Sequence, residues 1–221
     1  MQNLRAYLLG RTGLTASHVE IGGKAYRLLH PASVEALIDE GDFGRDERLP
    51  YWAEIWPSTI ALARRLSGLD LSGVRTIELG CGLGLPSIVA LDRGARVTAT
   101  DHYEAALEFA RHNAKINTGR NLTTAHLDWH TPPENGPGKF DLVLAADVLY
   151  EQRNIPALAA WIPALLTPKG EALISDPRRK DTPHFRELME DQGFRCSTLS
   201  EVVRQGEKDI EVLLHRFWRS S

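Results

Sequence analysis

Four acids stand at or just beyond the ends of apolar, β-prone runs. They are Glu78 in "TIELGCGLGLP", Asp101 closing "RVTATD", Asp128 in "LDW" and Asp147 opening "DVLY". Gly80, Gly82 and Gly84 follow the first acid at alternate positions, where the absence of a Cβ lets a backbone turn tightly and approach a ligand. Pro86 suits the first turn of a following helix, where no N–H is needed. In open α/β sheets ligands bind at the carboxyl ends of the strands, beside a glycine-rich turn. Acids and glycines together therefore mark one nucleotide site.

The dinucleotide fingerprint G-x-G-x-x-G is not met. Its third glycine falls on Leu85 when counted from Gly80 and on Ser87 when counted from Gly82. An acid at Glu78 would repel a pyrophosphate and favour a cationic ligand end. S-adenosylmethionine carries an ammonium and a sulfonium, and is the expected cofactor. Asp101, 17 residues beyond Gly84, sits where a carboxylate holds ribose hydroxyls. Asp128 offers an acceptor for an adenine amine, Trp129 an apolar wall, and Ala146 joins the cofactor side just ahead of Asp147.

The elements that must position these residues alternate. "STIALARRL" has apolar residues at helical spacing with Ser58 or Thr59 as cap. "VRTIELG" and "RVTATD" read as strands, "PSIVALDRG" as a helix ended by Gly94, and "YEAALEFARHNAKIN" as an amphipathic helix. "LTTAHLDW" and "FDLVLAADVLY" are further strands, the latter apolar enough to be buried on both faces. "IPALAAWIPALLTPKG" reads as a helix bent at Pro163, "EALISDP" as a strand, and "TPHFRELMEDQG" as a helix capped by Thr182 and closed by Gly193. "FRCSTLSEVV" and "KDIEVLLHRFW" form an antiparallel pair. Alternating strands and helices give right-handed βαβ units and a mostly parallel α/β sheet, Rossmann-like, with helices on both faces and a C-terminal antiparallel hairpin. Residues 1–48 read differently: "HVEIGGKAYRLLHP" is a hairpin turning at Gly22-Gly23, and "EGDFGRDERLP" a polar loop. They are expected to form a cap on a domain spanning 49–221.

Bulk properties agree with one intracellular, cytoplasmic α/β protein of 221 residues, 43% hydrophobic and 25% charged. No apolar run approaches membrane-spanning length, and the N-terminus "MQNLRAYLLGRTG" lacks a signal-peptide core. Cys81 and Cys196 show no metal or redox spacing and read as reduced structural thiols. The eight histidines show no metal pattern either. A net charge of −3 and a pI near 6.2 disfavour a nucleic-acid partner. The oligomeric state is left open, with a monomer admitted.

With these motifs assembled, the chain resembles the seven-strand class I methyltransferases over residues 50 to 218, "ELGCGLG", "TATD" and "LDW" matching their cofactor motifs. "PYWAEIWPSTIALARRL" and "DVLY" are similar to segments of the protein-lysine methyltransferases with an Asp-x-x-Tyr or Asp-x-x-Phe motif. "ISDPRRK" resembles the branch that includes the electron-transfer-flavoprotein β-subunit lysine methyltransferases. Two departures stand: "PST" replaces that branch's glycine pair, and residues 1 to 48 match loosely. The resemblance implies a protein substrate, Asp147 and Tyr150 as catalytic residues, and Trp56 against the methionine end of the cofactor. Asp147 would grip and aim the incoming lysine ammonium; Tyr150 would wall the channel and favour a cationic amine. Trp52 reads as packing, Glu54 as a contact to the substrate channel, and "DPRRK" as a solvated basic cluster. A small amine, RNA, or nucleotide binding without chemistry remain alternatives.

Overall fold

The computed structural model describes residues 13–37, 49–133 and 136–220. The expected N-terminal segment "MQNLRAYLLGRTG" and the loop "EGDFGRDERLP" fall almost wholly outside them. Two strands, β1 (Leu14–Ile21) and β2 (Lys24–Pro31), form a separate antiparallel hairpin. Its turn is Gly22-Gly23, with φ of 58° and 81°, the left-handed region such a two-residue turn requires.

The remaining strands are β3 (Arg75–Leu79), β4 (Arg96–Asp101), β5 (Thr123–His126), β6 (Phe140–Ala146), β7 (Leu166–Asp176), β8 (Phe194–Gln205) and β9 (Lys208–Arg219). They make one seven-stranded sheet in the order β5-β4-β3-β6-β7-β9-β8. Pairing is parallel from β5 to β7 and antiparallel from β7 through β9 to β8. The strand order reverses between β3 and β6, and a cleft opens there at the carboxyl ends.

Among the described residues five α-helices cover the sheet: α1 (Pro57–Ser67), α2 (Leu85–Asp92), α3 (Glu104–Thr118), α4 (Asn154–Leu165) and α5 (Thr182–Asp191). Leu62 and Leu66 of α1, Ile88 of α2 and Leu107 of α3 are buried in one core on one face. Ile155 and Ile162 of α4 and Phe185 and Met189 of α5 are buried in a second core on the other. Burial of this order contributes about 1.5–3 kcal/mol per large apolar side chain, and the two cores fix the strands that carry the site.

Local details depart from the expected boundaries. Helix α1 begins at Pro57 with extended Trp56 as its cap residue, so Ser58 and Thr59 lie inside it. Thr182 likewise falls inside α5, whose cap position is Asp181 without a side-chain cap bond. The segment "LTPKG" belongs to β7 rather than to α4. Phe140 pairs with Leu166 but Leu142 with Glu171, an irregularity that accommodates Pro168 and Gly170 within the strand. Strand β5 ends at His126, leaving Asp128 and Trp129 in the turn beyond, and β6 ends at Ala146, leaving "DVLY" outside the strand.

Candidate active site

Beyond β3 the chain runs through Gly80, Gly82 and Gly84 with φ of 68°, 50° and 86°. A Cβ on Gly84 would stand 2.8 Å from Ala110 of α3, and one on Gly82 3.1 Å from the Trp52 carbonyl. One on Gly80 would meet the Trp129 ring at 3.0 Å. Gly84 is the cap residue of α2, with Pro86 in its first turn.

Glu78 is buried and does not reach the cleft wall. Its carboxylate accepts the Ser87 N–H at 2.9 Å and the Ser87 hydroxyl at 2.5 Å. Burial pushes its pKa up to about 8 against the pull of those two bonds. The attraction for a cationic ligand end expected of this acid is therefore replaced by a tie between β3 and the first turn of α2. The position at which a dinucleotide fold would place its third glycine supplies the hydroxyl.

Asp101 lines the cleft. One oxygen accepts the Gly82 N–H and the other the Tyr103 N–H, both at 2.9 Å. Burial raises its pKa while these backbone bonds lower it. A carboxylate has about four acceptor positions, so these backbone bonds do not exhaust it. Asp128 lies across the cleft, its Oδ1 accepting the His130 N–H at 2.9 Å, and Trp129 closes the wall over Gly80. Ala146, Trp52, Glu54 and Trp56 also border the space.

Together these groups surround a cavity of about 370 Å³. The glycine cradle, the acids Asp101 and Asp128 and the indole of Trp129 match the glycine-loop backbone, hydroxyl and adenine contacts of S-adenosylmethionine, so the residues present fit that group.

At the cavity's far end sits Asp147, almost fully buried, with φ of 55°. A non-glycine residue rarely adopts this conformation; the bond from its N–H to the Ser175 carbonyl at 2.7 Å holds it there. Its carboxylate accepts two parallel bonds from Arg179, Nε to Oδ1 at 2.8 Å and an Nη to Oδ2 at 2.9 Å. Arg179 is thus not part of a solvated cluster. Its own N–H is held by Asp176 at 2.7 Å, and buried Asp176 also bonds His215 Nε2 at 3.0 Å.

Tyr150 stands half-exposed at the mouth, its ring 5.5 Å from Tyr51, which lies 6.0 Å from Trp56. Trp56 donates its indole N–H to the Tyr51 carbonyl at 2.9 Å. Trp52 turns the other way, onto Phe109 and Tyr103. The two tryptophans do not share a face, because Tyr51–Ala53 is a single 3-10 turn that ends before Trp56.

Of the residues predicted from sequence, Gly80, Gly82, Asp101, Asp128, Trp129, Ala146, Asp147, Tyr150 and Trp56 border one cavity, while Gly84 and Glu78 lie behind its wall. Sequence reasoning did not assign Arg179, Ser87 or Tyr51. The signal for Arg179 was a basic run directly after the acid that ends a strand adjacent to the one carrying Asp147.

The sheet order, its reversal point and the glycine turn define the fold as that of the class I methyltransferases. The magnesium protoporphyrin IX methyltransferase of Synechocystis PCC 6803 with bound S-adenosylhomocysteine superposes with a TM-score of 0.58 at 18% identity, over 74% of this chain and 84% of that one. The ribosomal protein L11 methylase of Lactobacillus delbrueckii subsp. bulgaricus gives 0.56 at 20% identity, over 73% and 79%.

Within that class, the model of the lysine methyltransferase family matches residues 50–192, and the chain belongs to that family. Protein N-lysine methyltransferase METTL21A of Danio rerio is 35% identical, over 75% of this chain and 78% of the relative. EEF1A lysine methyltransferase 3 of Mus musculus is 30% identical, over 76% and 73%. Among the described residues no helix is long and apolar enough to cross a membrane.

Proposed function

We propose that the enzyme transfers a methyl group to a lysine side chain of a protein. The observation that carries this is Asp147, a carboxylate fixed at the inner end of a cavity whose mouth is faced by the half-exposed rings of Tyr51 and Tyr150. Such a mouth admits a long side chain presented by a large partner, and its rings favour an amine's partial or full positive charge. The names of the relatives support a protein substrate.

Bound S-adenosylmethionine supplies a methyl group already activated on a sulfonium. The protein's part is to position and desolvate. Gly80, Gly82 and Gly84 give backbone access, Asp101 accepts ribose hydroxyls, Asp128 and Trp129 receive the adenine, and Ala146 and Trp56 border the methionine end. Glu78 acts from behind, through Ser87 and the loop. Asp147 accepts an N–H of the substrate amine and so aims its lone pair; Tyr150 walls the channel, with Glu54 on the outer rim. The hairpin, within the described part of residues 1–48, serves as a cap on the domain of 49–221, a role supported by its bonds to α3. Both cysteines are free thiols, in keeping with a cytoplasmic enzyme.

The test is transfer of labelled methyl from S-adenosylmethionine into a lysate of the source cell, with wild type and Asp147→Asn compared. Label should be removed by protease and not by nuclease, and should fall at least 100-fold with the variant. Label that resists protease, or equal labelling by both enzymes, would sink the protein-lysine reading in favour of RNA or a small amine.

A further inference from the structure

We infer that Arg179 is a positioning and specificity-determining residue of the acceptor site: its guanidinium, locked on Asp147, makes the site take lysine as the free amine rather than as the ammonium. This rests on the protein-lysine reading above. It replaces the simpler expectation that Asp147 grips an ammonium.

The bidentate pair at 2.8 and 2.9 Å leaves Asp147 and Arg179 with no net charge. An ammonium entering beside them gains no net attraction, because the Arg179 cation cancels the carboxylate it would otherwise pair with. An uncharged amine needs no such attraction. Two of the roughly four acceptor positions of the carboxylate are taken by Arg179, so two remain for an amine N–H. Asp147 thereby orients the amine while Arg179 opposes its protonated form. On entry an N–H bond of the ammonium breaks, the electron pair stays on Nζ, and the proton leaves to solvent.

The clamp is built in rather than incidental. The Arg179 backbone is anchored on Asp176, which is fully buried and held from behind by His215. His215 in turn pairs with Thr198 on β8 at 2.9 Å. Three strands thus fix the cation's place, and the arginine side chain is about a third exposed, at 36%, against 6% for Asp147.

The other charged or titratable groups around the pair leave the guanidinium's effect standing. Arg178 is paired with Glu211 at 3.0 Å, and Arg153 with Glu151. Asp176 is shared between Arg179 and His215. Tyr51 and Tyr150 line the same cavity, Glu54 lies on the exposed outer wall, and His102 and His130 lie toward Asp128. At an effective dielectric near 20, a unit charge even about 10 Å away is enough to move a lysine's pKa by about one unit.

The experiment uses the protein labelled in the lysate, purified, and single-turnover transfer between pH 6.5 and 10. Arg179→Met and Arg179→Gln should shift the rising limb upward by about one unit. Transfer at pH 6.5 should then fall nearly 10-fold, while the rates converge at high pH. Arg179→Lys should stay near wild type. Adenosylhomocysteine affinity, unchanged in each variant, reports an intact fold.

A second readout needs no turnover. Substrate protein is titrated by calorimetry into adenosylhomocysteine-loaded enzyme at pH 8, in two buffers of different ionisation heat. Wild type should release close to one proton per site and Arg179→Met less than half of that. A loss by the same factor at every pH, unchanged proton release, or faster transfer by Arg179→Met throughout would overturn the inference. Failure of wild type to label any protein would instead overturn the protein-lysine reading, and shows itself before any variant is compared.

Discussion

Glu78, near the carboxyl end of β3, and Asp147, just beyond the adjacent parallel β6, lie at one end of the sheet, yet their surroundings give them opposite tasks. Asp147 is matched by a guanidinium and faces the cavity. Among the described residues Glu78 has no cation against it, and burial lifts its pKa to about 8. A carboxyl whose folded pKa exceeds its unfolded value binds a proton more tightly in the folded state. Its stabilising contribution is complete below about pH 4.5 and is lost as pH rises through about 8. Replacing Glu78 by Gln keeps an acceptor for Ser87 and removes the titration. Wild-type stability relative to Glu78→Gln should therefore decline by up to a few kcal/mol between pH 4.5 and 8. Urea unfolding of both proteins across that window checks it; parallel pH curves would show that Glu78 does not titrate between those limits.

At the scale of elements, the site depends on how closely α2 and the glycine loop approach α3. Gly84 is the point of contact: its φ of 86° and the 2.8 Å that a Cβ would leave to Ala110 both exclude a side chain. Gly84→Ala should cost about 2–4 kcal/mol and weaken adenosylhomocysteine binding at least 10-fold. Gly80→Ala, which meets the movable Trp129 ring rather than a helix backbone, should cost less. Thermal melts and binding titrations of the two variants settle the ranking, and equal losses would contradict it. Elements of this kind were legible because their signals are local: the glycine spacing, the apolar runs of β3, β4 and β6, and the Gly22-Gly23 turn. Caps and ends were less so, since Pro57 and the extended Trp56 start α1 without a capping hydroxyl, and Pro168 and Gly170 disguise the first half of β7. Arg179 showed in the sequence only as one cation of a basic run. Whether a basic residue is solvated or clamped depends on a contact 32 positions away in sequence, which no local pattern encodes.

At the scale of the whole molecule, the N-terminal hairpin is joined to the cofactor loop through one side chain. Asn113 of α3 is fully buried. It accepts the Leu29 N–H at 2.8 Å and donates to the Leu29 carbonyl and to the Leu83 carbonyl, each at 3.1 Å. Leu83 lies within the glycine loop, and Leu28 of the same strand borders the cavity. A second tie holds the hairpin's far end, where Lys24 and Tyr26 both bond Asp92 at 2.8 Å. Hairpin docking and loop geometry thus share a partner, and two processes that share a partner are coupled in both directions. Replacing Asn113 by Ala removes the partner of three backbone groups at once and should cost about 3 kcal/mol. If the coupling is real, the variant should also bind adenosylhomocysteine about 10-fold more weakly. In wild type, adenosylhomocysteine should slow hydrogen exchange in Lys24–Pro31; in Asn113→Ala that protection should vanish, while Asp92→Asn should loosen the hairpin and leave cofactor affinity nearly unchanged. A destabilised Asn113→Ala with wild-type affinity would mean that the hairpin merely rests on α3, and the cap would then have no hold on the cofactor loop.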